Sequence, residues 1–295
     1  MIDFKNNTVQ IEDSVLHYLP FLPTRTRQKD YQVIRKYKNS NLMCELRAQE
    51  SLNVHDLLIL FVLLKDYQKN PESWKKTTIM VKRSNKTMEI ASKVVSLKEI
   101  CKTRGIIPKK NNRQTVLNSL RRFRYAEIRY LWPNGTTEYS SYIYNIAEED
   151  TEVNVLRIDV NKRFFDFCLK KGIVINLEYI YKIEQIKDKN LKHYKGYAIL
   201  LILYMQGTKE VLESKRKKKY FYWRRYYTEE ELLYASHIAE LNIAETEKRK
   251  FLQRSLKILY KCGIPEYKLD KESKIYYRAD IKEVNEKFTK IKPIQ

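Results

Sequence analysis

Glycine and proline are scarce, 6 and 7 residues in 295, which leaves little room for long flexible linkers and excludes collagen-like or low-complexity architecture. The cysteines, Cys44, Cys101, Cys168 and Cys262, are few and far apart, and none has a second cysteine two to four residues away. That spacing excludes zinc fingers and knuckles and predicts reduced thiols packed as small hydrophobes. His17, His55, His193 and His237 also stand alone, so no metal-binding pair is present, and each is expected at the surface or at a cap.

Other absences narrow the function. A GxxxxGK[ST] loop is missing, which disfavours P-loop ATP hydrolysis, and no paired carboxylates stand out for acid and base work. The expectation is a protein without catalytic activity, metal or cofactor. The longest apolar runs, LLILFVLL and AILLILYM, are too short for a membrane span of about 20 residues. MIDFKNNTVQIEDS lacks the basic and apolar regions of a signal peptide, so a cytoplasmic location is expected.

What the chain has in excess is positive charge. Against 36 acidic residues stand 58 Lys and Arg, a net charge of +22, and such a field concentrates polyanions. Nucleic acid is the commonest of these inside cells. The 23 tyrosines are read mainly as core packing and compositional bias, not as base-stacking platforms.

The sequence also carries an internal echo. NNRQTVLNSLRRFRYAEI, from Asn111 to Ile128, is matched by KRKFLQRSLKILYKCGI, from Lys248 to Ile264. With Ser255 laid on Ser119, an offset of 136, Leu256 falls on Leu120, Lys257 on Arg121, Leu259 on Phe123 and Ile264 on Ile128.

The elements around these stretches recur in the same order. An apolar helix is predicted over Ser51 to Gln68 and again over Tyr194 to Glu210. A β-prone segment follows each, Thr77 to Lys82 and Tyr220 to Tyr227. Second helices begin at Ser96 and Thr228, each with a glutamate three residues on, Glu99 and Glu231, as in a capping box. After the third helices come hairpin candidates, IRYLWPNGTTEYSSYIYNI with a turn at Pro133-Asn134-Gly135, and YKLDKESKIYYRADI with a turn at Asp270 to Ser273. Helix, strand, helix, turn, helix and hairpin is the order of a winged helix, so the predicted fold is α+β with tandem winged-helix domains. The predicted boundaries are an arm over residues 1–36, domain 1 over 37–160, a helical connection over 161–190 and domain 2 over 191–295.

Helical spacing places Leu252, Leu256 and Leu259 inward, and Val116, Leu120 and Phe123 likewise. The opposite faces then present Arg249, Lys250, Gln253, Arg254, Lys257 and Lys261 in the second copy. In the first they present Arg113, Gln114, Asn118, Arg121 and Arg122. Arg and Gln suit base-edge recognition in a major groove, with basic neighbours on phosphate. The run ESKRKKKYFYWRRYY adds Lys215, Arg216, Lys217, Lys218 and Lys219, with Arg224 and Arg225, as expected phosphate contacts.

YKNSNLMCELRAQESLNVHDLLILFVLL, RQTVLNSLRRFRYAEI, VLRIDVNKRFFDFCLKKG with KHYKGYAILLILYMQ, and YYTEEELLYASHI with KRKFLQRSLKILYKCGI together form a wider pattern. That pattern resembles the plasmid replication initiator (Rep) proteins with two winged-helix domains. The resemblance implies binding to directly repeated origin sites, or iterons, and opening of adjacent AT-rich DNA. It also implies that the second domain is the principal reader, with the segment from Arg249 to Lys261, and that the segment from Arg113 to Arg124 is the second reader. Implied partners are double-stranded DNA and the host replication initiator and helicase, with a monomer that initiates and a homodimer that represses its own gene.

A rolling-circle nickase, which needs a His-hydrophobe-His metal site, does not fit the isolated histidines. The main alternative is a winged-helix transcriptional regulator without a replication role. An RNA-binding protein is disfavoured because neither an RNP aromatic motif nor a KH loop is present.

Overall fold

The computed structural model describes residues 7–11, 21–24, 28–36, 43–81, 86–131, 137–140, 143–150, 155–213 and 219–280. The chain forms two compact units, Met1–Tyr181 and Lys182–Gln295, and the fold is α+β.

In chain order the first unit contains β1 (Thr8–Ile11), β2 (Lys29–Lys36), β3 (Met43–Glu50), α1 (Val54–Lys69), β4 (Lys75–Val81) and β5 (Lys86–Ser96). There follow α2 (Leu97–Thr103), α3 (Lys110–Arg124), β6 (Ala126–Leu131), β7 (Thr137–Ser140), β8 (Ile143–Asp150) and β9 (Val155–Asn161). It closes with α4 (Lys162–Lys171), β10 (Ile173–Asn176) and α5 (Glu178–Gln185), within which the division between units falls.

The start of α1 is set by Asn53. Its side chain accepts the amides of His55 and Asp56 at 3.0 and 3.3 Å, while Asp56 accepts the Asn53 amide at 2.9 Å. This reciprocal cap satisfies donors that the helix itself leaves open. From Leu57 to Leu64 every residue is buried, so the helix is apolar on all sides and forms the axis of the core. Tyr67 and Trp74 pack edge-on at 5.6 Å, and Phe165 of α4 meets Tyr67 at 5.2 Å. Gly172 lets the chain turn from α4 into β10: a Cβ there would lie 2.4 Å from the Cys168 carbonyl and 2.7 Å from that of Ile11. The turn brings β10 against β1, with Ile11 opposite Ile173.

Two four-stranded antiparallel sheets flank this core, ordered β2-β3-β6-β7 and β4-β5-β9-β8. In the second, β5 leads directly into α2 and pairs with β9, which returns from β8; Ala91 opposes Val160 and Ile146 opposes Ile158.

The second unit has α6 (Lys195–Gly207), β11 (Glu210–Glu213), β12 (Lys219–Tyr222), β13 (Tyr226–Thr228), α7 (Glu229–Ala235), α8 (Glu245–Lys261), β14 (Tyr267–Asp270) and β15 (Ile275–Arg278). Before α6 runs a 3₁₀ segment, Lys189–Tyr194. The sheet order β13-β15-β14 sets Tyr227 opposite Tyr276, and both are buried with Tyr267. The expected core role of these tyrosines is therefore seen here.

The recurring order is present in both units, with one change in the first. The sequence predicts the hairpin IRYLWPNGTTEYSSYIYNI as the wing that follows the third helix. Its strands β6 and β7 do pair, Ile128 opposite Ser140, but β6 continues the sheet of β3 instead; the Pro133-Asn134-Gly135 turn lies outside the described residues. The counterpart of β14 and β15 is β8 and β9, the hairpin after the third helix whose return strand, β9, pairs with the strand that enters the second helix, as β15 pairs with β13. The expected strand of the first repeat also shifts. Thr77 to Val81 belongs to β4, an edge strand, whereas β5 enters α2.

The two capping boxes have different outcomes. Thr228 accepts the Glu231 amide at 3.2 Å and Glu231 accepts the Thr228 amide at 3.3 Å. Ser96 makes no side-chain cap bond. It is the last residue of β5, paired with Val155, and Glu99 is drawn instead to Lys102 at 2.9 Å. Within segment 161–190, expected as a helical connection, α4 and β10 pack in the first unit and the division between units falls inside α5.

All four cysteines are buried thiols outside any disulfide, as expected. His237 is not at the surface. It is buried, but it does stand at a cap, the N-cap position of the 3₁₀ turn Ile238–Glu240, with a left-handed backbone at φ 62° and its Nδ1 3.0 Å from Glu240.

Candidate nucleic-acid interface

The third helix of the second unit, α8, begins at Glu245, three residues before Lys248, because acidic Glu245 and Glu247 favour its positive N-terminal end. Leu252, Ser255, Leu256, Ile258 and Leu259 form its buried face. Lys250, Gln253, Arg254, Lys257 and Lys261 are exposed.

Their surroundings differ. Gln253 and Lys257 make no hydrogen bond or ion pair with the described residues, so both are available to a ligand. Arg254 lies over the ring of Tyr194, 5.1 Å from its centre, and also bonds the Tyr194 hydroxyl. Lys261 reaches Asp188 at 3.1 Å. That bond, with an amide from Asn190, holds the Asp188 carboxyl below its usual range. Lys250 pairs with Glu247 at 2.5 Å across one helical turn. Arg249 is committed inward: its Nε donates to both carboxylate oxygens of buried Glu229, at 3.0 and 2.9 Å.

In the first unit α3 repeats this division. Val116, Ser119, Leu120 and Phe123 are buried, and Ser119 thus matches buried Ser255. Gln114 and Asn118 are exposed and bonded to each other at 2.9 Å, with Arg121 exposed beside them. Arg113 is half-buried, and its Nε is enclosed without a hydrogen-bond partner among the described residues. Arg122 turns inward to Asp56 at 2.7 Å and to Ser119 at 3.0 Å.

The basic run before α7 is similarly divided. Arg224 pairs with Glu231 at 2.6 Å and lies 4.6 Å from the centre of the Tyr227 ring, so it braces the fold. Arg225 is exposed, and Lys219 opens β12. Lys215, Arg216, Lys217 and Lys218 lie outside the described residues.

Several contributors escaped the sequence reading. Lys109 and Lys110 are exposed at the start of α3, ahead of the internal echo that begins at Asn111. The preceding Pro108 was an available signal, since a proline commonly stands just before or at a helix start. Tyr194 and Asp188 had no local signal, because their partners lie 60 and 73 residues away. Among the described residues no cluster of three or more His, Cys, Asp or Glu could hold a metal, and no helix is long and apolar enough to cross a membrane.

No family model matches the sequence, and no curated protein does. Among solved structures, a crystal structure of domains 2 and 3 of RctB superposes with a TM-score of 0.51 at 14% identity, covering 83% of this chain and 84% of that one. A second crystal structure of RctB domains 2–3 gives a TM-score of 0.46, also at 14% identity, covering 83% and 82%. At this identity the likeness is one of fold.

Proposed function

We propose that the chain is a sequence-specific double-stranded DNA-binding protein that initiates plasmid replication at origin repeats and promotes opening of adjacent AT-rich DNA. Each unit is read as a winged helix, with α8 the principal reader and α3 the second. The observation that carries this reading is the recurrence, in both units, of a strand that enters the second helix, a hairpin paired to that strand, and a third helix with a polar, basic outer face. Gln253, Arg254 and Lys257 reach base edges and phosphates, and Lys250, Lys261 and Arg225 supplement the electrostatic attraction. In the first unit Gln114, Asn118 and Arg121 do the same, and in the second the run from Lys215 to Lys219 adds contacts to phosphate.

The fold likeness to RctB, itself a replication initiator, supports initiation over other uses of such a fold. Initiation requires binding and distortion of DNA and recruitment of the host initiator and helicase, not catalysis, so the protein acts in the cytoplasm without cofactor or metal. Monomer and homodimer serve as initiator and repressor.

Footprinting of the full chain on the DNA upstream of its own gene, at near-physiological salt, tests this. Phased protections over direct repeats beside an AT-rich tract are expected. One inverted-repeat footprint over a promoter would favour a transcriptional regulator, and absence of duplex protection would overturn the DNA-binding reading.

A further inference from the structure

Two exposed isoleucines occupy matching places. Ile107 stands three residues before α3 and is 66% exposed; Ile243 stands two residues before α8 and is 38% exposed. They lie 136 positions apart, the interval that also relates Ser119 to Ser255 and Leu120 to Leu256. The register that aligns the two third helices therefore aligns these side chains as well.

In both cases the backbone is tied down. The Ile107 carbonyl accepts the Lys109 amide at 2.8 Å and the Asn112 side chain at 2.7 Å. The Ile243 amide donates to the Leu241 carbonyl at 3.0 Å, and the next carbonyl, Ala244, accepts the amides of Glu247 and Lys248 at 2.9 and 3.0 Å. Each isoleucine is thus held at the leading end of its helix by polar bonds that do nothing to bury it. A single exposed isoleucine needs no explanation. The same residue at the same register, in two units whose sequences otherwise diverge, points to a common use.

We propose that Ile107 and Ile243 contact the C5-methyl groups of thymine in the major groove. The inference rests on the DNA-binding reading and specifies what the leading end of each reader recognises. Residues near the N-terminus of a recognition helix reach base edges, and the thymine methyl is the apolar feature of that groove. An aliphatic side chain gains nothing from phosphate. In the second unit the neighbouring acids, Glu245 and Glu247, pair with Lys248 and Lys250 at 2.9 and 2.5 Å, so this end offers phosphate little net positive charge. Both features favour base edges over backbone at this end.

The test uses the full chain and its footprinted site in two forms, one with thymine and one with every thymine replaced by deoxyuridine, which removes only the methyl groups. Wild type is expected to bind the uracil duplex more weakly, by about 4-fold for each methyl group that an isoleucine covers. Ile243→Ala and Ile107→Ala should each bind the thymine duplex more weakly and show a smaller thymine-to-uracil difference than wild type, with thermal midpoints unchanged. Equal wild-type affinity for the two duplexes would overturn the proposal, as would variants that keep the full difference. A lowered thermal midpoint, or an altered oligomeric state by sedimentation, would overturn it too, by assigning the side chains to packing or to a protein contact. Failure of the underlying reading is distinct: no specific complex would form even on thymine DNA.

Discussion

Arg122 and Asp56 form a fork across the first unit. One carboxylate oxygen of fully buried Asp56 accepts Nε and Nη2 of Arg122 at 3.2 and 2.7 Å, and the other accepts the Asn53 amide that opens α1. The arginine that looked like a groove residue thus ties α3 to the start of α1.

Removing one partner of such a pair strands the other charge in the core. Asp56→Ala is expected to destabilise the first unit by roughly 3–5 kcal/mol, well beyond an ordinary surface change. Urea unfolding checks it; a loss under about 1 kcal/mol would show that the carboxylate is dispensable.

The same logic separates Arg249 from Gln253. Arg249→Ala should lower stability by about 2–3 kcal/mol because it leaves Glu229 unpaired. Gln253→Ala should leave stability unchanged and reduce discrimination between specific and nonspecific duplex by about 1–3 kcal/mol. Thermal melts with competition binding distinguish the two, and equal loss on both DNAs would place Gln253 on phosphate.

Lys257 makes no ion pair with the described residues, so its charge is free for phosphate. Lys257→Ala should weaken all duplexes alike and lower the magnitude of the salt slope by about 0.9. An unchanged slope, measured by titration at several salt concentrations, would remove this residue from the interface.

Asp166 supplies a pH test. Burial pushes its carboxyl up, but hydrogen bonds from Lys162 and Tyr67, at 2.8 and 2.5 Å, outweigh this and hold it below its usual range. Burial also pushes the Tyr67 phenol well above its ordinary value, so the hydroxyl remains a donor. A carboxyl lowered in the folded state contributes stability above its unfolded pKa and loses it as pH falls through the folded value. The stability gap between wild type and Asp166→Asn should be full at neutral pH and shrink below about pH 4. A gap that persists undiminished in acid would contradict this.

The two expected caps predict unequal costs. Thr228→Ala should cost about 1 kcal/mol, since it removes a formed cap bond, whereas Ser96→Ala should stay within about 0.5 kcal/mol. Denaturation midpoints of the two variants decide it.

Features that depend on near neighbours and on composition are legible along the chain. The all-apolar run from Leu57 to Leu64, the buried stripe of Leu252, Leu256 and Leu259, the cap at Thr228 and the excess of positive charge are all set within a few residues or by counting. Tertiary structure decided which basic groups remain available and which hairpin completes the first unit. Arg122, Arg224 and Arg249 read like their exposed neighbours until Asp56, Glu231 and Glu229 are brought beside them. Likewise β8 and β9 became the paired hairpin only through β5, whose Val94 and Val95 face Arg157 and Leu156 across more than 60 residues of chain. A buried carboxylate must find a cation and a strand must find an edge, and neither requirement leaves a periodic trace along the chain.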